Sequence, residues 1–203
     1  MLRHVLKAQS SPRGETIDRI RMYEITSQIA FLGRRRRVYD RLVALSGARP
    51  GDQVLDVGCN GGYQARLLAT AVAPGGRVTG VDPSGPAIGY ATRRGPGNCT
   101  FAVGVAQDLG WPDHSFDVVT CTLAVHHIPE AVRADAFGEM YRVTRRGGRL
   151  LVADFRPSGW HRGVHGMRHA DATPLSDLAE AAGFRVETTG DLPLLHYVRA
   201  VRP

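Results

Sequence analysis

The chain has 203 residues, enough for one α/β domain with a sizeable core, and its formal net charge of +7 raises nucleic acid or an anionic surface as a partner. Lys7 is its only lysine, and Ala, Gly and Pro are abundant; because this composition is typical of a GC-rich genome, we expect no specific nucleic-acid partner. No apolar run approaches the ~20 residues of a membrane span, the N-terminus lacks an apolar signal core, and the three cysteines have no paired or metal-type spacing, which favours a cytoplasmic protein.

The first 45 residues predict a polar N-terminal stretch followed by two helices. Residues 1–14 are polar and are expected to be loose. Apolar residues then recur at helical spacing over 17–32, and a second helix is predicted over 38–45. Gly33 and the run Arg34–Arg37 separate the two helices.

From residue 53 onward, apolar runs alternate with helical patterns, which indicates a parallel α/β sheet. The buried strands are predicted near 53–58, 78–82, 100–104, 116–123 and 149–155. The helices between and after them are predicted near 63–72, 85–93, 130–145 and 174–182. Gly147 and Gly148 are expected to end one helix, and two short strands, 184–189 and 195–202, complete the chain.

A glycine-rich turn follows the first predicted strand. The dinucleotide fingerprint fails here, because Asn60 and Tyr63 stand where two of its glycines belong. The pattern acid-x-Gly-x-Gly-x-Gly fits better, with Asp56, Gly58 and Gly62 in three of its four fixed places. Asn60 replaces the middle glycine, and asparagine tolerates the left-handed backbone that such a loop needs.

With these residues the chain resembles the class I S-adenosylmethionine (SAM)-dependent methyltransferases, especially the small-molecule group that includes the ubiquinone and menaquinone enzymes. The resemblance implies a single Rossmann-like, doubly wound seven-stranded sheet, mostly parallel with an antiparallel last strand and with helices on both faces. Residues 1–36 would form an N-terminal helical lid, and residues 37–203 the methyltransferase domain. The cofactor would be SAM, released as S-adenosylhomocysteine.

The resemblance also implies where the cofactor lies. Its binding residues would be Asp56, Gly58, Cys59, Asn60, Gly62, Asp82, Pro83, Val105, Ala106, Gln107 and Thr122. Asp82 ends the second strand, where a carboxylate can accept two hydrogen bonds from ribose hydroxyls. Val105 replaces the acid that meets the adenine amino group in the family, so adenine must rely on backbone groups, stacking or Gln107.

Two histidines are the candidates for catalysis. His126 and His127 leave the fourth strand at the carboxyl edge of the sheet, where ligands bind. Histidine can act as a base near neutral pH, and we expect His127 rather than His126 to face the cleft. The alternative is that both histidines are structural.

Three aromatic residues are candidates for the substrate site. Tyr23, Tyr39 and Trp160 could surround an apolar substrate, although aromatic residues at helical spacing also serve as ordinary core. The run Arg34–Arg37 is either a solvated turn or a weak contact with an anionic surface or substrate. His161, His165 and His169 recur every four residues, but the glycines among them argue against a helical metal site, and we assign no metal.

We therefore expect methyl transfer from SAM to a small, apolar or aromatic acceptor. The departures at Asn60 and Val105 keep open a regulatory or scaffold protein that binds SAM without catalysis. An RNA methyltransferase is less favoured, because the stretch Thr122–Val125 lacks the Asn/Asp-Pro-Pro-aromatic motif of amino-methylating enzymes. A nicotinamide-dependent reductase is opposed by the failed dinucleotide pattern.

Overall fold

The computed structural model describes residues 9–11, 14–16, 33–156 and 173–203. The strands are β1 (Gln9–Ser11), β2 (Gly14–Thr16), β3 (Gln53–Val57), β4 (Arg77–Asp82), β5 (Cys99–Val103), β6 (Phe116–Thr122), β7 (Thr144–Phe155), β8 (Arg185–Leu192) and β9 (Leu195–Val201). The α-helices are α1 (Arg35–Ser46), α2 (Tyr63–Ala71), α3 (Gly85–Arg94), α4 (Arg133–Val143) and α5 (Leu175–Ala181). Two 3₁₀ turns, Val125–His127 and Glu130–Val132, lie between β6 and α4.

Seven strands form one sheet in the order β5-β4-β3-β6-β7-β9-β8. The pairs from β5 to β7 are parallel, whereas β9 runs antiparallel to both β7 and β8. The last strand is therefore the antiparallel one, which confirms the predicted sheet. Strand order reverses between β3 and β6, and such a switch point opens a crevice at the carboxyl ends of the strands.

Side chains alternate between the two faces of the sheet along each strand, and both faces are buried. On one face, Leu55 of β3 belongs to a core cluster with Phe137 and Met140 of α4 and Leu178 of α5. On the other face, Val54 belongs to a cluster with Leu68 of α2. This two-sided burial explains why β3, β6 and residues 150–154 of β7 are almost continuously buried.

Near the N-terminus, two features differ from the sequence-based predictions, and a third prediction is not tested. Helix α1 begins at Arg35, three residues before the predicted start, and Arg36 forms an i,i+4 ion pair with Asp40 at 2.8 Å. Strands β1 and β2 pair antiparallel over residues 9–16, although residues 1–14 were predicted to be loose. The helix predicted over 17–32 lies outside the described residues.

The predicted role of Gly147 and Gly148 as a helix end is wrong. Helix α4 ends at Val143, and β7 begins directly at Thr144. Gly147 has a positive φ of 71° inside the first part of β7, where its amide donates to the Arg202 carbonyl at 2.8 Å. The glycines therefore bend the start of a strand instead of capping a helix.

Within the part of the chain that the structure describes, no helix combines the length and the apolar character needed to cross a bilayer.

Candidate functional site

The turn after β3 takes the shape that its glycines permit. Gly58 has a φ of 72°, and a Cβ there would lie 2.3 Å from the Cβ of Ala124. Gly62 also has a φ of 72°, and a Cβ there would lie 2.9 Å from the Phe101 ring. Neither position accepts another residue without displacing its neighbour, so the turn is a close-fitting cradle.

Asn60 adopts the left-handed backbone that replaces the missing glycine. Its φ is 49°, and its Oδ1 accepts a hydrogen bond from the Gly61 amide at 2.6 Å. The side chain thus supports the turn that its own backbone makes. The departure from the family pattern at this position leaves the loop intact.

Asp82 ties this loop to the end of β4. Its Oδ2 accepts from the Asn60 amide and its Oδ1 from the Ser84 amide, each at 2.9 Å. Burial raises the pKa of the carboxyl above its usual value, although these two amides act in the opposite direction. Each oxygen keeps a second lone pair, so the group can accept further hydrogen bonds from a ligand.

Asp56 is a buried acid at the end of β3. It is 2% exposed, and its Oδ1 accepts from the Thr120 hydroxyl at 2.8 Å. Its Oδ2 has no hydrogen-bond partner among the described residues. Burial raises the pKa of Asp56 to about 7, the Thr120 hydrogen bond opposes that rise, and the charge of Asp82 adds to it.

Helices α1 and α2 meet at the side of the cleft nearest β6. The Arg35 guanidinium lies 4.0 Å from the centre of the Tyr63 ring, and Tyr39 packs edge-on against Tyr63 at 5.0 Å. Gln64 is buried, and its Oε1 accepts a hydrogen bond from the Thr122 hydroxyl. Arg35, Gln64 and Thr122 therefore add polar groups to the wall of the same cleft that Asp56 and Asp82 line.

The two candidate histidines have different surroundings. His127 lies in the wall of the cleft, whereas the His126 ring turns away and places its Nδ1 2.7 Å from Asp154 Oδ1. The His126 amide donates to the other Asp154 oxygen at 2.9 Å. Burial acts to raise the pKa of Asp154, but His126 and two backbone amides outweigh it, so the pKa lies below its usual value. An ionised Asp154 therefore holds His126 in place, and the His126 ring packs against His127 with centres 4.0 Å apart.

The structure brings most of the predicted site residues into one cleft that opens to solvent. The wall contains ten of the eleven predicted cofactor residues: Asp56, Gly58, Cys59, Asn60, Asp82, Pro83, Val105, Ala106, Gln107 and Thr122. The eleventh, Gly62, does not line the cleft, and a Cβ there would meet the Phe101 ring. His127 and Tyr39 also line the cleft, whereas His126 lies behind His127. Tyr23, Trp160 and the histidines at 161, 165 and 169 lie outside the described residues.

Sequence reasoning missed three residues of this region. Arg35 lines the cleft although its neighbours Arg34, Arg36 and Arg37 are exposed, and nothing in a run of four arginines distinguishes it. Gln64 could have been noticed as a polar residue directly after the glycine turn. Asp154 becomes a neighbour of His126 only because β6 and β7 are adjacent.

Comparison with known proteins points to one family. Residues 55–152 match the family model described as a methyltransferase domain. A demethylmenaquinone methyltransferase of Symbiobacterium thermophilum is 35% identical over 137 residues, which cover 65% of this chain and 54% of that protein. A ubiquinone/menaquinone biosynthesis C-methyltransferase of Ectopseudomonas mendocina is 32% identical over 142 residues, covering 68% of this chain and 55% of that protein. The chain thus spans about half the length of these curated relatives.

The solved structures give the same fold. A SAM-dependent methyltransferase from Aquifex aeolicus superimposes with a TM-score of 0.73 over 96% of this chain and 100% of that chain, at 18% sequence identity.

Proposed function

Because this chain belongs to the class I SAM-dependent methyltransferases, we propose that it transfers the methyl group of SAM to a small-molecule acceptor bound beside His127. One observation carries the proposal: the glycine turn, Asp82 and His127 line the same cleft at the carboxyl ends of the parallel strands. A ligand held by the turn and by Asp82 would lie within reach of His127.

The residues of the cleft fit SAM. Gly58 lines the cleft without a side chain, so the backbone can approach the cofactor closely there. Asp82 has lone pairs left for the ribose hydroxyls, and Val105, Ala106 and Gln107 would border the adenine. Asp56 offers a buried oxygen without a partner among the described residues.

Bound SAM would supply a sulfonium methyl that is already activated for in-line displacement. The acceptor atom would form a bond to this methyl carbon while the carbon–sulfur bond breaks. The electron pair of the broken bond would remain on sulfur, and the product would be S-adenosylhomocysteine. The task of the chain is to hold the acceptor in line and to exclude water. Tyr39 and His127 border the space in which the acceptor would lie.

His127 would take the acceptor's proton when the acceptor is a hydroxyl. His126, fixed by Asp154, packs against His127 and would position its ring. An amine or an activated carbon acceptor would need orientation more than a base.

The acceptor class follows from the walls of the cleft and from the relatives. Tyr39 and Tyr63 offer aromatic surface, which suits an apolar or aromatic acceptor. The two relatives carry the names of menaquinone and ubiquinone/menaquinone enzymes, which is consistent with a ring-shaped acceptor. Strand β2 lies near the Val125–His127 turn, which supports a role for the N-terminal segment as a lid. The cytoplasmic location and the weak anionic contact of Arg34–Arg37 stay predictions.

Calorimetry tests the cofactor. We expect SAM and S-adenosylhomocysteine to bind in the micromolar range and NADH and NADPH not to bind. Binding of a nicotinamide cofactor without binding of SAM would contradict the proposal. Incubation with SAM and a panel of quinols, phenols and amines then tests transfer, with S-adenosylhomocysteine release as the readout. Tight SAM binding without transfer to any acceptor would favour the regulatory alternative.

A further inference from the structure

Helix α1 carries an exposed row of arginines. Together with the residue before it, the helix holds five arginines and one aspartate, a net charge of +4 within a chain whose formal charge is +7. The aspartate, Asp40, pairs with Arg36. Arg34, Arg37 and Arg41 are exposed, and the ion pairs among the described residues do not include them. Because residues three and four positions apart share one side of a helix, these three arginines form a continuous row, which we call the α1 basic row.

The α1 basic row begins at the edge of the sheet where the cleft lies. Arg35, which follows the first arginine of the row, lines the cleft, and so does Tyr39 one turn later. Tyr39 belongs to an apolar cluster with Leu195, the first residue of β9. Leu195 pairs with Phe155, the last residue of β7, and thereby places this end of α1 at the carboxyl edge. From there the row extends about 10 Å along the helix.

An apolar turn lies beside the same edge. Strand β8 ends at Leu192, Pro193 is exposed, and Leu194 leads directly into β9. Leu192 and Leu194 are only partly buried, and they pack against the cluster that contains Val38 and Leu42 of α1. Turns between paired strands are more often built from Gly, Asn, Asp and Ser. The two leucines and the proline therefore place apolar surface next to the α1 basic row.

Arginines beside apolar residues match the surface of an anionic membrane. Headgroup phosphates attract the cations, and the apolar residues reach the boundary between the headgroups and the acyl chains. Nucleic acid would use the arginines but would leave the leucines in water, because its bases bind through hydrogen bonds and through stacking on aromatic residues. An apolar acceptor partitions into lipid, so a cleft held at a lipid surface would receive it without passage through water.

We propose that the α1 basic row and the turn formed by residues 192–194 bind an anionic lipid surface and hold the cleft edge of the protein against it. The route of the acceptor rests on the proposed function. Lipid binding itself needs neither SAM nor an acceptor, so the two proposals can fail separately.

Co-sedimentation of the full chain with vesicles measures the binding. Phosphatidylcholine vesicles with about one third phosphatidylglycerol should bind the protein, pure phosphatidylcholine vesicles should bind it far less, and about 0.5 M salt should remove most of the binding. The triple variant Arg34→Gln/Arg37→Gln/Arg41→Gln should bind the anionic vesicles about 10- to 100-fold more weakly, since each arginine near such a surface contributes about fivefold.

The matched control removes three arginines from the opposite edge of the sheet, as Arg77→Gln/Arg93→Gln/Arg146→Gln. All three are exposed, and they lie at the start of β4, in the last turn of α3 and near the start of β7. This variant should bind the vesicles within about threefold of the wild type, because its lost charges lie more than a Debye length from the lipid. None of the arginines changed in either variant lines the cleft, so calorimetry should give the wild-type affinity for SAM in both.

Leu194→Asn tests the apolar contact. Asparagine tolerates the positive φ of 72° at this position, so the turn is kept. Binding to the anionic vesicles should fall about three- to tenfold, and the part that persists in high salt should be lost. Thermal melts show whether the variant keeps its fold. Unchanged vesicle binding by the folded variant would remove the turn from the lipid surface and overturn the proposal as stated.

Three further results would overturn the lipid surface. Equal losses in the two triple variants would show that net charge alone attracts the vesicles. Equal binding to anionic and neutral vesicles would exclude the charge complementarity. Tighter binding to a single-stranded RNA oligonucleotide than to the vesicles, lost only in the variant of the α1 basic row, would assign the row to nucleic acid. Vesicle binding without SAM binding would overturn the proposed function alone, and SAM binding without vesicle binding would overturn this inference alone.

Discussion

The two sides of the cleft satisfy their polar groups in different ways. On the β4–β5 side, formed by Asp82 and residues 105–107, both oxygens of Asp82 already accept hydrogen bonds from backbone amides of the protein. On the α1–α2 side, formed by Arg35, Asp56 and Gln64, each residue keeps a buried polar atom without a partner in the described chain. We call the β4–β5 side the completed side, because the protein itself satisfies the oxygens of Asp82. We call the α1–α2 side the incomplete side, because it keeps buried polar atoms that are available to a ligand.

The largest effect should come from His127, which lines the cleft and is the proposed base. With a hydroxyl acceptor, His127→Ala should lower kcat about 10²–10⁴-fold, because the proton then has no base, and SAM affinity should stay nearly intact. Steady-state kinetics and calorimetry on one preparation measure both quantities. His114→Asn is the control, since His114 is exposed and has a positive φ of 58° that asparagine tolerates. A loss of less than about threefold would leave positioning as the mechanism.

The next effect tests the completed side. Asp82→Ala should weaken SAM binding by tens-fold or more, equivalent to about 2–3 kcal/mol, because it removes the ribose acceptor and frees the Asn60 amide. Asp82→Asn keeps one acceptor oxygen and should lose less. The exposed residue Asp40 provides a control in Asp40→Ala, which lies outside the cleft wall. A folded Asp82→Ala protein with wild-type affinity for SAM would show that the acid does not bind the ribose.

A smaller effect tests the incomplete side through stability. The pKa of Asp56 rises to about 7 on folding, so the folded protein binds a proton that the unfolded chain has already released between about pH 4 and 7. The stability that this proton provides is lost as pH rises through 7, where the buried carboxylate becomes charged. Asp56→Asn removes that charge and should raise the melting temperature of the ligand-free protein by about 5 °C at pH 8.

At pH 5 folded Asp56 is neutral and only the unfolded chain is ionised, about one pH unit above its pKa, so the same variant should raise the melting temperature less there than at pH 8. Thermal melts followed by circular dichroism at the two pH values measure the contrast. An equal shift at both values would mean that Asp56 does not titrate in this range.

The smallest effect restores the family's acid on the completed side. Val105→Asp should tighten SAM binding by up to about 1 kcal/mol if the adenine amino group gains a carboxylate. Val103→Asp adds the same charge two residues earlier, at the end of β5, and should have no effect, because Val103 is 62% exposed and lies outside the cleft wall. Weaker binding by Val105→Asp would show that this part of the cleft is shaped around an apolar side chain.

The completed side was more predictable from sequence than the incomplete one, for physical reasons. Asp82 and the glycine turn are local: an apolar run ends in an acid, and a turn needs residues that tolerate positive φ. Arg35 cannot be separated from its neighbours by sequence, because its burial depends on how α1 packs against Tyr63. Asp154 meets His126 only through the pairing of β6 with β7, and pairing between distant segments leaves no local pattern.

The close approach of Gly58 to Ala124 limits how this protein can diverge. The Cβ that any other residue would bring to position 58 falls 2.3 Å from the Ala124 methyl, so the two positions share one small volume between the exits of β3 and β6. A larger residue at position 58 would therefore need Ala124 to move or shrink, and shrinking Ala124 to glycine would still leave position 58 with a φ of 72°. Replacement of Gly58 by a larger residue is therefore disfavoured whether or not Ala124 changes, whatever acceptor the surrounding loops come to accommodate.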